Sequence, residues 1–391
     1  MLNTPFSPWP SFTEEEANAV RDVILSNKVN YWTGQECRDF EREFATWSGT
    51  TYAVALANGT VALDLALNAL GIREGDEVVV TSRTFLASVS SIVNARAIPV
   101  FADVDPDSQA ITAESIRAVL TPRTRAIICV HLAGWPCDMD PIMALAKAHG
   151  LFVVEDCAQA HGALYKGRPV GSIGHIGAWS FCQDKIMTTG GEGGMVTTND
   201  PDLWSSMWSF KDHGKSWEAV YEREHAPGFR WLHERFGTNW RMLEVQAVIG
   251  RIQLKRMQVW QLERFENARR IWTRASSLPG LRVPVIPEDI RHAAYKCYVF
   301  VDPSRLKPGW SRDRIQAEIS ELGVPCYSGT CSEVYLEKAF DNTGWRPESR
   351  LPVARELGET SLMFLVHPTL APHDIDKTCD VLGQVMALAA K

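Results

Sequence analysis

The sequence predicts an α/β fold built on a large, mostly parallel sheet. Short, continuous apolar runs recur through the first half of the chain, and segments with helical periodicity separate them. The runs do not alternate between polar and apolar residues, which is typical of strands covered by helices on both faces. The strand candidates are YAVALA (52–57), EVVVT (77–81), IPVFAD (98–103), AIICVH (126–131) and LFVVED (151–156).

Helix candidates lie between these strands. Thr13 followed by Glu16 forms a capping-box pattern, which predicts a helix that begins there and ends near Leu25. A long, charged segment over 243–276 is also predicted to be helical. The remaining helix candidates of the first half are residues 38–47, 59–70, 85–95, 112–119 and 140–149.

The second half of the chain predicts a smaller α+β domain. Three prolines after residue 278 interrupt the helical pattern, and the strand candidate YKCYVFVD (295–302) and two helix candidates, 312–321 and 372–389, follow. We therefore expect a large domain over 1–260 that includes an N-terminal arm, and a small C-terminal domain over 261–391.

Composition narrows the class of protein. The 391 residues carry a formal net charge of −7 and are 45% hydrophobic, as expected for a soluble globular protein. The acidic balance gives no support for nucleic-acid binding, and no 18-residue apolar stretch predicts a membrane span. We also see no secretory signal. Nine cysteines without paired spacing argue against a disulfide framework, so a cytoplasmic location is expected.

Residues 155–195 hold the main concentration of chemically active side chains. In parallel sheets, ligands bind beyond the carboxyl ends of the strands, and Asp156 ends one such strand. Lys185 follows another apolar run and precedes the segment TTGGEGG (188–194). Taken singly, Lys185 fits a solvated surface lysine, the glycines a tight turn, and Asp156 a helix cap. The segment does not match a phosphate loop, since the lysine precedes the glycines.

Five motifs occur in a specific order along the chain: NGTVALDLAL (58–67), RTFLAS (83–88), VVEDCAQAHGA (153–163), WSFCQDKIMTTGGEGG (179–194) and GTNWRM (237–242). With these motifs the sequence resembles the DegT/DnrJ/EryC1/StrS sugar aminotransferases, a fold-type I group dependent on pyridoxal 5′-phosphate. The resemblance is strong over residues 30–250 and weak beyond 280. It implies a large cofactor-binding domain and transfer of an amino group from L-glutamate to a keto nucleotide-sugar.

The resemblance implies catalytic and cofactor-binding roles for four residues. Lys185 matches the lysine that holds the cofactor covalently as a Schiff base and moves the substrate proton. Asp156 matches the carboxylate paired with the pyridine nitrogen, which makes the ring an electron sink. Gln159 matches the residue near the cofactor's 3′-oxygen, and Phe85 matches the ring that stacks on the pyridine. Ordinary alternatives are a polar helix position for Gln159 and a core position for Phe85.

Four further residues match the family's phosphate ligands. Gly59 and Thr60 open a helix after a strand, where amide groups and a hydroxyl suit a phosphate; simple helix capping is the alternative. Ser180 matches a second phosphate ligand. Asn239 matches a residue that reaches the phosphate from the neighbouring subunit, which implies a homodimer with a shared active site; an ordinary surface asparagine is the alternative.

The substrate region departs from the family pattern. TTGGEGG has one residue more than the usual motif, and GVPCYSGTCSEVY (323–335) replaces the usual Pro-His-Pro arrangement near the sugar site. Trp32, Thr33 and His213 lie where family members line the sugar pocket, although His213 equally fits a structural histidine.

The resemblance leaves the sugar open. We expect amination at C4 of a UDP-4-keto-6-deoxy-hexose, for amino sugars of surface polysaccharides such as lipopolysaccharide. A dTDP- or GDP-sugar, amination at C3, a sugar dehydratase and a non-catalytic regulatory protein are the alternatives. Dehydratase relatives carry histidine in place of the lysine, so Lys185 argues against that activity. A metal hydrolase using His131, Asp138 and His161 matches no known metal-ligand spacing, and no metal is predicted.

Overall fold

The computed structural model describes residues 6–224, 227–228 and 230–391, and its strands form one large and two small sheets. The strands are β1 (Tyr52–Leu56), β2 (Glu77–Thr81), β3 (Ile98–Ala102), β4 (Thr124–Val130), β5 (Phe152–Asp156), β6 (Leu164–Tyr165), β7 (Arg168–Pro169), β8 (Ile176–Ser180), β9 (Gly194–Thr198), β10 (Leu281–Arg282), β11 (Ile290–Arg291), β12 (Cys297–Val301), β13 (Cys326–Tyr327) and β14 (Ser361–Phe364).

The large sheet has seven strands in the order β1-β9-β8-β5-β4-β2-β3. Strands β3, β2, β4, β5 and β8 pair in parallel, whereas β9 runs antiparallel to both β8 and β1. The predicted α/β fold with a mostly parallel sheet is confirmed. Because β9 alone is reversed, the carboxyl ends of β1, β5 and β8 lie at the same edge of the sheet.

Helices lie at the predicted places, and three further helices, Pro201–Lys211, Trp217–Tyr221 and Pro352–Thr360, were not predicted. Thr13 precedes the first helix, and its backbone N–H donates to Glu16 Oε2 at 2.7 Å, as the capping box predicts. No helix of the described residues has the length and apolarity needed to cross a membrane. The helices are α1 (Glu14–Leu25), α2 (Glu36–Ser48), α3 (Gly59–Ala69), α4 (Ala87–Asn94), α5 (Ala113–Arg117), α6 (Met139–His149), α7 (Pro201–Lys211), α8 (Trp217–Tyr221), α9 (Glu244–Ser276), α10 (Arg312–Glu321), α11 (Pro352–Thr360) and α12 (Pro372–Ala389), with 3₁₀ turns at Leu132–Gly134, Pro303–Arg305, Val334–Leu336 and Lys338–Phe340.

Helix α9 connects the two halves of the molecule. Its first half packs Leu254 and Met257 into the core of the large sheet, and its second half packs Ala268 and Ile271 against the sheet β10-β12-β14-β13. The expected boundary between residues 260 and 261 therefore falls inside one continuous helix. The division into a large and a small domain stays a prediction.

An aromatic cluster between α2 and β8 supports the functional edge of the sheet. The ring of Phe44 lies 5.1 Å from that of Trp179 and 5.5 Å from that of Phe181, in both cases edge to face. Phe40 completes the cluster at 5.8 Å from Phe44. All four side chains are buried, so their packing holds the end of β8 in place.

Replacing Phe44 with alanine should lower the free energy of unfolding by about 3–5 kcal/mol, since it removes a buried ring and leaves a cavity. Urea denaturation followed by fluorescence measures the change. Phe12→Ala is the control, because that ring is 48% exposed, and its loss should cost less than about 0.5 kcal/mol. Equal losses for the two variants would contradict the assignment of the cluster.

Candidate active site

The edge formed by the ends of β1, β5 and β8 opens into a cavity of about 1090 Å³. Asp156 is the last residue of β5, Ser180 is the last residue of β8, and Gly59 begins α3 just after β1. Lys185 lies in the segment between β8 and β9. Seven of the residues predicted from the sequence line this one cavity: Gly59, Thr60, Phe85, Asp156, Gln159, Ser180 and Lys185.

Asp156 is buried and faces the cavity through a short hydrogen-bond network. Ser88 Oγ donates to its Oδ2 at 2.8 Å, and the N–H of Ala158 donates to Oδ1 at 3.1 Å. Burial raises the pKa of Asp156, while the two hydrogen bonds and the charge of Lys185 oppose that rise. No helix begins directly after β5 in this described stretch, so Asp156 does not serve as a helix cap.

Lys185 is held from two sides. Its backbone carbonyl accepts a hydrogen bond from the indole Nε1 of Trp9 at 2.8 Å, and its Nζ lies 5.4 Å from the centre of the Tyr295 ring. Tyr295 OH in turn donates to Asp184 Oδ2 at 2.5 Å. The N-terminal segment and the residues before β12 thus position the lysine together.

The extra glycine after Lys185 is accommodated in the turn that leads to β9. Gly190 and Gly191 have φ values of +84° and +114°, a region in which side chains are strained. The N–H of Gly191 donates to Thr188 Oγ1 at 3.0 Å. Two successive glycines therefore allow the chain to reverse, and the next residue, Glu192, lines the cavity.

Gly59 and Ser180 form a close contact at one end of the cavity. A Cβ atom on Gly59 would lie 2.4 Å from Ser180 Cβ, so only glycine fits there. Asn58 Oδ1 accepts from the N–H of Val61 at 3.0 Å and caps α3. The first amides of a helix lack acceptors within it and favour an anion. Capping and anion binding are therefore compatible here.

Two other side chains suit a flat aromatic ligand. Phe85 lines the cavity yet is 69% exposed, so its ring is not a core residue and leaves a face for stacking. Gln159 is buried, and its Oε1 accepts from the N–H of Ala133 at 2.8 Å, which orients the amide group. Together with Lys185 and Asp156, these groups fit pyridoxal phosphate.

The other four predicted residues lie outside this cavity. Asn239 is exposed and forms an isolated β-bridge with Asp212. His213 is also exposed, and its backbone N–H donates to the carbonyl of Thr238 at 2.9 Å. The ring of Trp32 lies 4.2 Å from Lys215 Nζ. Trp32, Thr33, His213 and Asn239 therefore do not line the cavity that contains Lys185.

The cavity contains functional candidates that the sequence did not single out. Ser88 hydrogen-bonds to Asp156, while Asp184, Tyr295 and Lys296 surround the lysine. Gly329, Thr330 and Cys331, from the segment that departs from the family pattern, also line the cavity. Lys296 and Tyr295 precede a strand distant in sequence, so no local pattern connects them with Lys185.

A buried group of His131, Glu155 and Cys157 has the spacing of a possible metal site. Its polar atoms are used within the protein: His131 Nε2 lies 3.0 Å from Glu155 Oε2, and His131 Nδ1 accepts from the N–H of Cys137 at 2.9 Å. Glu155 also accepts hydrogen bonds from three backbone amides. We assign the group a structural role in joining β4 and β5.

Fold and site together bring the N-terminus of a helix, an exposed aromatic ring, a buried carboxylate and a lysine around one cavity. Its structural neighbours include a putative sugar aminotransferase from Streptococcus pneumoniae in its PLP (pyridoxal phosphate) form. Residues 10–383 match the model of the DegT/DnrJ/EryC1/StrS aminotransferase family. The chain belongs to this family and is an aminotransferase.

Three similar proteins illustrate the match. The structure of an aminotransferase from Psychrobacter cryohalolentis is 66% identical, covers 98% of this chain and 99% of its own, and superposes with a TM-score of 0.96. GDP-perosamine synthase of Caulobacter vibrioides is 36% identical over 94% of this chain and 95% of its own. UDP-N-acetyl-3-dehydro-alpha-D-glucosamine 3-aminotransferase of Acidithiobacillus ferrooxidans is 35% identical, also over 94% of this chain and 95% of its own.

Gly59→Ala should weaken binding of pyridoxal phosphate by about tenfold or more, because the new Cβ would separate α3 from Ser180. Titration of the apo-protein with the cofactor measures the dissociation constant. Ser180→Gly removes the opposing Cβ, so adding Gly59→Ala to Ser180→Gly should cost much less than adding it to the unaltered chain. Equal costs in both backgrounds would exclude this steric explanation.

Proposed function

We propose that the protein transfers the amino group of L-glutamate to C4 of a UDP-4-keto-6-deoxy-hexose, with pyridoxal phosphate held covalently on Lys185. The supporting observation is that Lys185, Asp156, Gly59 and Ser180, which are far apart in sequence, line one cavity. The family assignment establishes the reaction type. The donor, the nucleotide, the carbon and the covalent link are parts of the proposal.

When bound, pyridoxal phosphate supplies an electron sink for the pair released as the substrate C–H bond breaks. Asp156 would hold a proton at the ring nitrogen, since a buried carboxylate favours a cationic partner over water. Ser88 would keep that carboxylate in place through its hydrogen bond to Oδ2. Phe85 would cover one face of the ring.

Lys185 would carry the proton transfer. Its Nζ reaches the cavity, and the contact of its carbonyl with Trp9 fixes the backbone from which the side chain extends. In each half of the reaction, Nζ would accept or deliver the proton at the substrate carbon that bears the amino group. Two half-reactions in one cavity then move nitrogen from glutamate to the sugar.

The phosphate would lie between the start of α3 and the end of β8. Gly59 and Thr60 provide amides and a hydroxyl there, and Ser180 provides a second hydroxyl. Asn239 is exposed and is not among the residues that line this cavity. We propose that it reaches the phosphate of a partner subunit in a homodimer, with Trp32, Thr33 and His213 near the sugar.

The nucleotide of the substrate and the carbon that is aminated are identified by assay. The two relatives named above carry GDP and UDP in their names, and one is a 3-aminotransferase. A dehydratase is disfavoured because Lys185 is present. All nine cysteines are free thiols, which supports a reducing, cytoplasmic location. A panel of keto nucleotide-sugars with glutamate, followed by mass and NMR analysis of products, identifies the nucleotide and the aminated carbon.

Lys185→Ala should abolish the visible absorption band of the bound cofactor and lower kcat by at least about 10³-fold, because the covalent anchor and the proton carrier are lost together. Absorption spectra and a coupled assay for 2-oxoglutarate measure both effects. Lys166→Ala is the control, since that lysine contacts Asp140 outside the cavity. An unchanged band with normal transamination in Lys185→Ala would refute the proposal.

Asp156→Asn should lower kcat by about 10²–10³-fold with a smaller effect on KM, because a neutral amide no longer stabilises the protonated ring nitrogen. Steady-state kinetics measure the two constants, and the visible spectrum checks that the cofactor is retained. Asp64→Asn, on α3 and beyond the lining of the cavity, should leave both constants unchanged. A large loss in both variants would indicate general damage to the fold.

A further inference from the structure

Two segments after α7, residues 212–215 and 233–241, form a short antiparallel ribbon that carries Asn239. Asp212 pairs with Asn239 in an isolated β-bridge. A Cβ atom on Gly237 would lie 2.4 Å from a backbone nitrogen of the facing segment. The two segments are therefore packed backbone against backbone, and the position of one determines the position of the other.

The ribbon is joined to β1, the edge strand of the large sheet. Arg241 pairs with Leu56, the last residue of β1, in an antiparallel bridge, and the N–H of Ala57 donates to the carbonyl of Trp240 at 2.9 Å. Helix α3 begins two residues after Ala57. The backbone next to Asn239 is thus fixed to the strand that leads into the proposed phosphate site.

A buried ion pair crosses the ribbon. Asp212 is 0% exposed, and its Oδ1 accepts a hydrogen bond from Arg241 Nη1 at 2.6 Å, while Lys215 Nζ lies 3.4 Å from the same oxygen. Removing one member of a buried pair leaves the other charge uncompensated. The pair therefore joins the two segments of the ribbon on either side of the bridge between Asp212 and Asn239.

The side chains on the outer part of this region face solvent. Asn239 is exposed, Phe236 is 99% exposed, and Trp231, just before the ribbon, is 90% exposed. Large aromatic side chains exposed together favour contact with another molecule. A second copy of this chain is the occupant that fits, because the proposed shared active site brings Asn239 to the phosphate of a partner subunit.

We propose that Asp212 is a positioning residue for the active site of the partner subunit. Its ion pair with Arg241 and its bridge to Asn239 hold the ribbon in the conformation that presents the Asn239 amide to the cofactor phosphate of the other protomer. Asp212 does not line the cavity of its own chain. The inference rests on the proposed function, which assigns Asn239 to that phosphate.

Substitutions in the homodimer give the first measurement. Asp212→Asn keeps the shape of the side chain and removes its charge. It should weaken binding of pyridoxal phosphate about tenfold, as Asn239→Ala should, since an amide that is no longer held loses its hydrogen bond to a charged group. Arg241→Lys keeps a cation opposite Asp212 and should recover most of the affinity that Arg241→Gln loses. Titration of the apo-protein with pyridoxal phosphate measures each dissociation constant.

Glu77→Gln is the matched control for loss of a buried ion pair. Glu77 is 3% exposed and pairs with Arg123, as Asp212 pairs with Arg241, but it begins β2 and lies outside the cavity lining. Its affinity for pyridoxal phosphate should equal that of the unaltered enzyme.

A mixed dimer tests whether Asp212 acts on its own chain. One chain carries Lys185→Ala and the other carries Asp212→Asn, and two different affinity tags allow the mixed dimer to be purified. The visible band of the covalent cofactor can form only on the chain with Asp212→Asn. That chain receives Asn239 from a partner whose Asp212 is intact, so the band should titrate with the affinity of the unaltered enzyme.

A second mixed dimer tests whether Asp212 acts on the partner. Both substitutions, Lys185→Ala and Asp212→Asn, are now in one chain, and the other chain is unaltered. The band forms on the unaltered chain, which receives Asn239 from the chain with Asp212→Asn, so the affinity should fall about tenfold. A role for Asp212 confined to the folding of its own chain predicts the reverse order of the two affinities.

Equal affinities in the two mixed dimers, or a fall in the first dimer alone, would overturn the inference. The same two dimers made with Arg241→Gln give the same test if Asp212→Asn does not assemble. Failure of the proposed function appears differently, because Asn239→Ala would then leave the cofactor affinity unchanged, and the inference would fall with it. If Asn239→Ala weakens binding, the mixed dimers alone decide the role of Asp212.

Discussion

The contact between Gly59 and Ser180 is the constraint on which the cavity depends. It brings the first turn of α3 against the last residue of β8, at a separation that a single extra methyl group would prevent. Strand β9 makes this possible, because its antiparallel course between β8 and β1 leaves both neighbours ending at the same edge. The amides of α3 and the hydroxyl of Ser180 can therefore face one anion.

Electrostatics organise the rest of the site. Asp156 is buried, and burial disfavours the ionised form of its carboxyl group. Hydrogen bonds from Ser88 and Ala158 offset this loss of solvation only in part, so the carboxylate favours a protonated partner in the cavity. Lys185, Lys296 and the buried Arg264 accumulate positive charge near Asp184.

Two segments distant in sequence complete the lysine's surroundings. Trp9, from the N-terminal segment, donates to the Lys185 carbonyl, and its ring also lies 4.7 Å from the guanidinium carbon of Arg264 on α9. Tyr295 approaches from the residues that precede β12. Neither contact involves the large sheet directly. Lys185 is thus positioned by two segments that are far from it in the sequence.

The sequence by itself determined the α/β fold, most helix and strand positions, and the residues of the cavity nearest the strands. Apolar runs and helical periodicity are local patterns, and Asp156, Ser180 and Lys185 stand at strand ends or just beyond them, where parallel sheets bind ligands. Tertiary structure alone decided that Ser88 supports Asp156 and that Lys296 shares the Tyr295 ring with Lys185. Ser88 and Asp156 are 68 positions apart, and Tyr295 is 111 positions from Asp184, the residue before Lys185. No local periodicity records which distant side chains meet when the core packs.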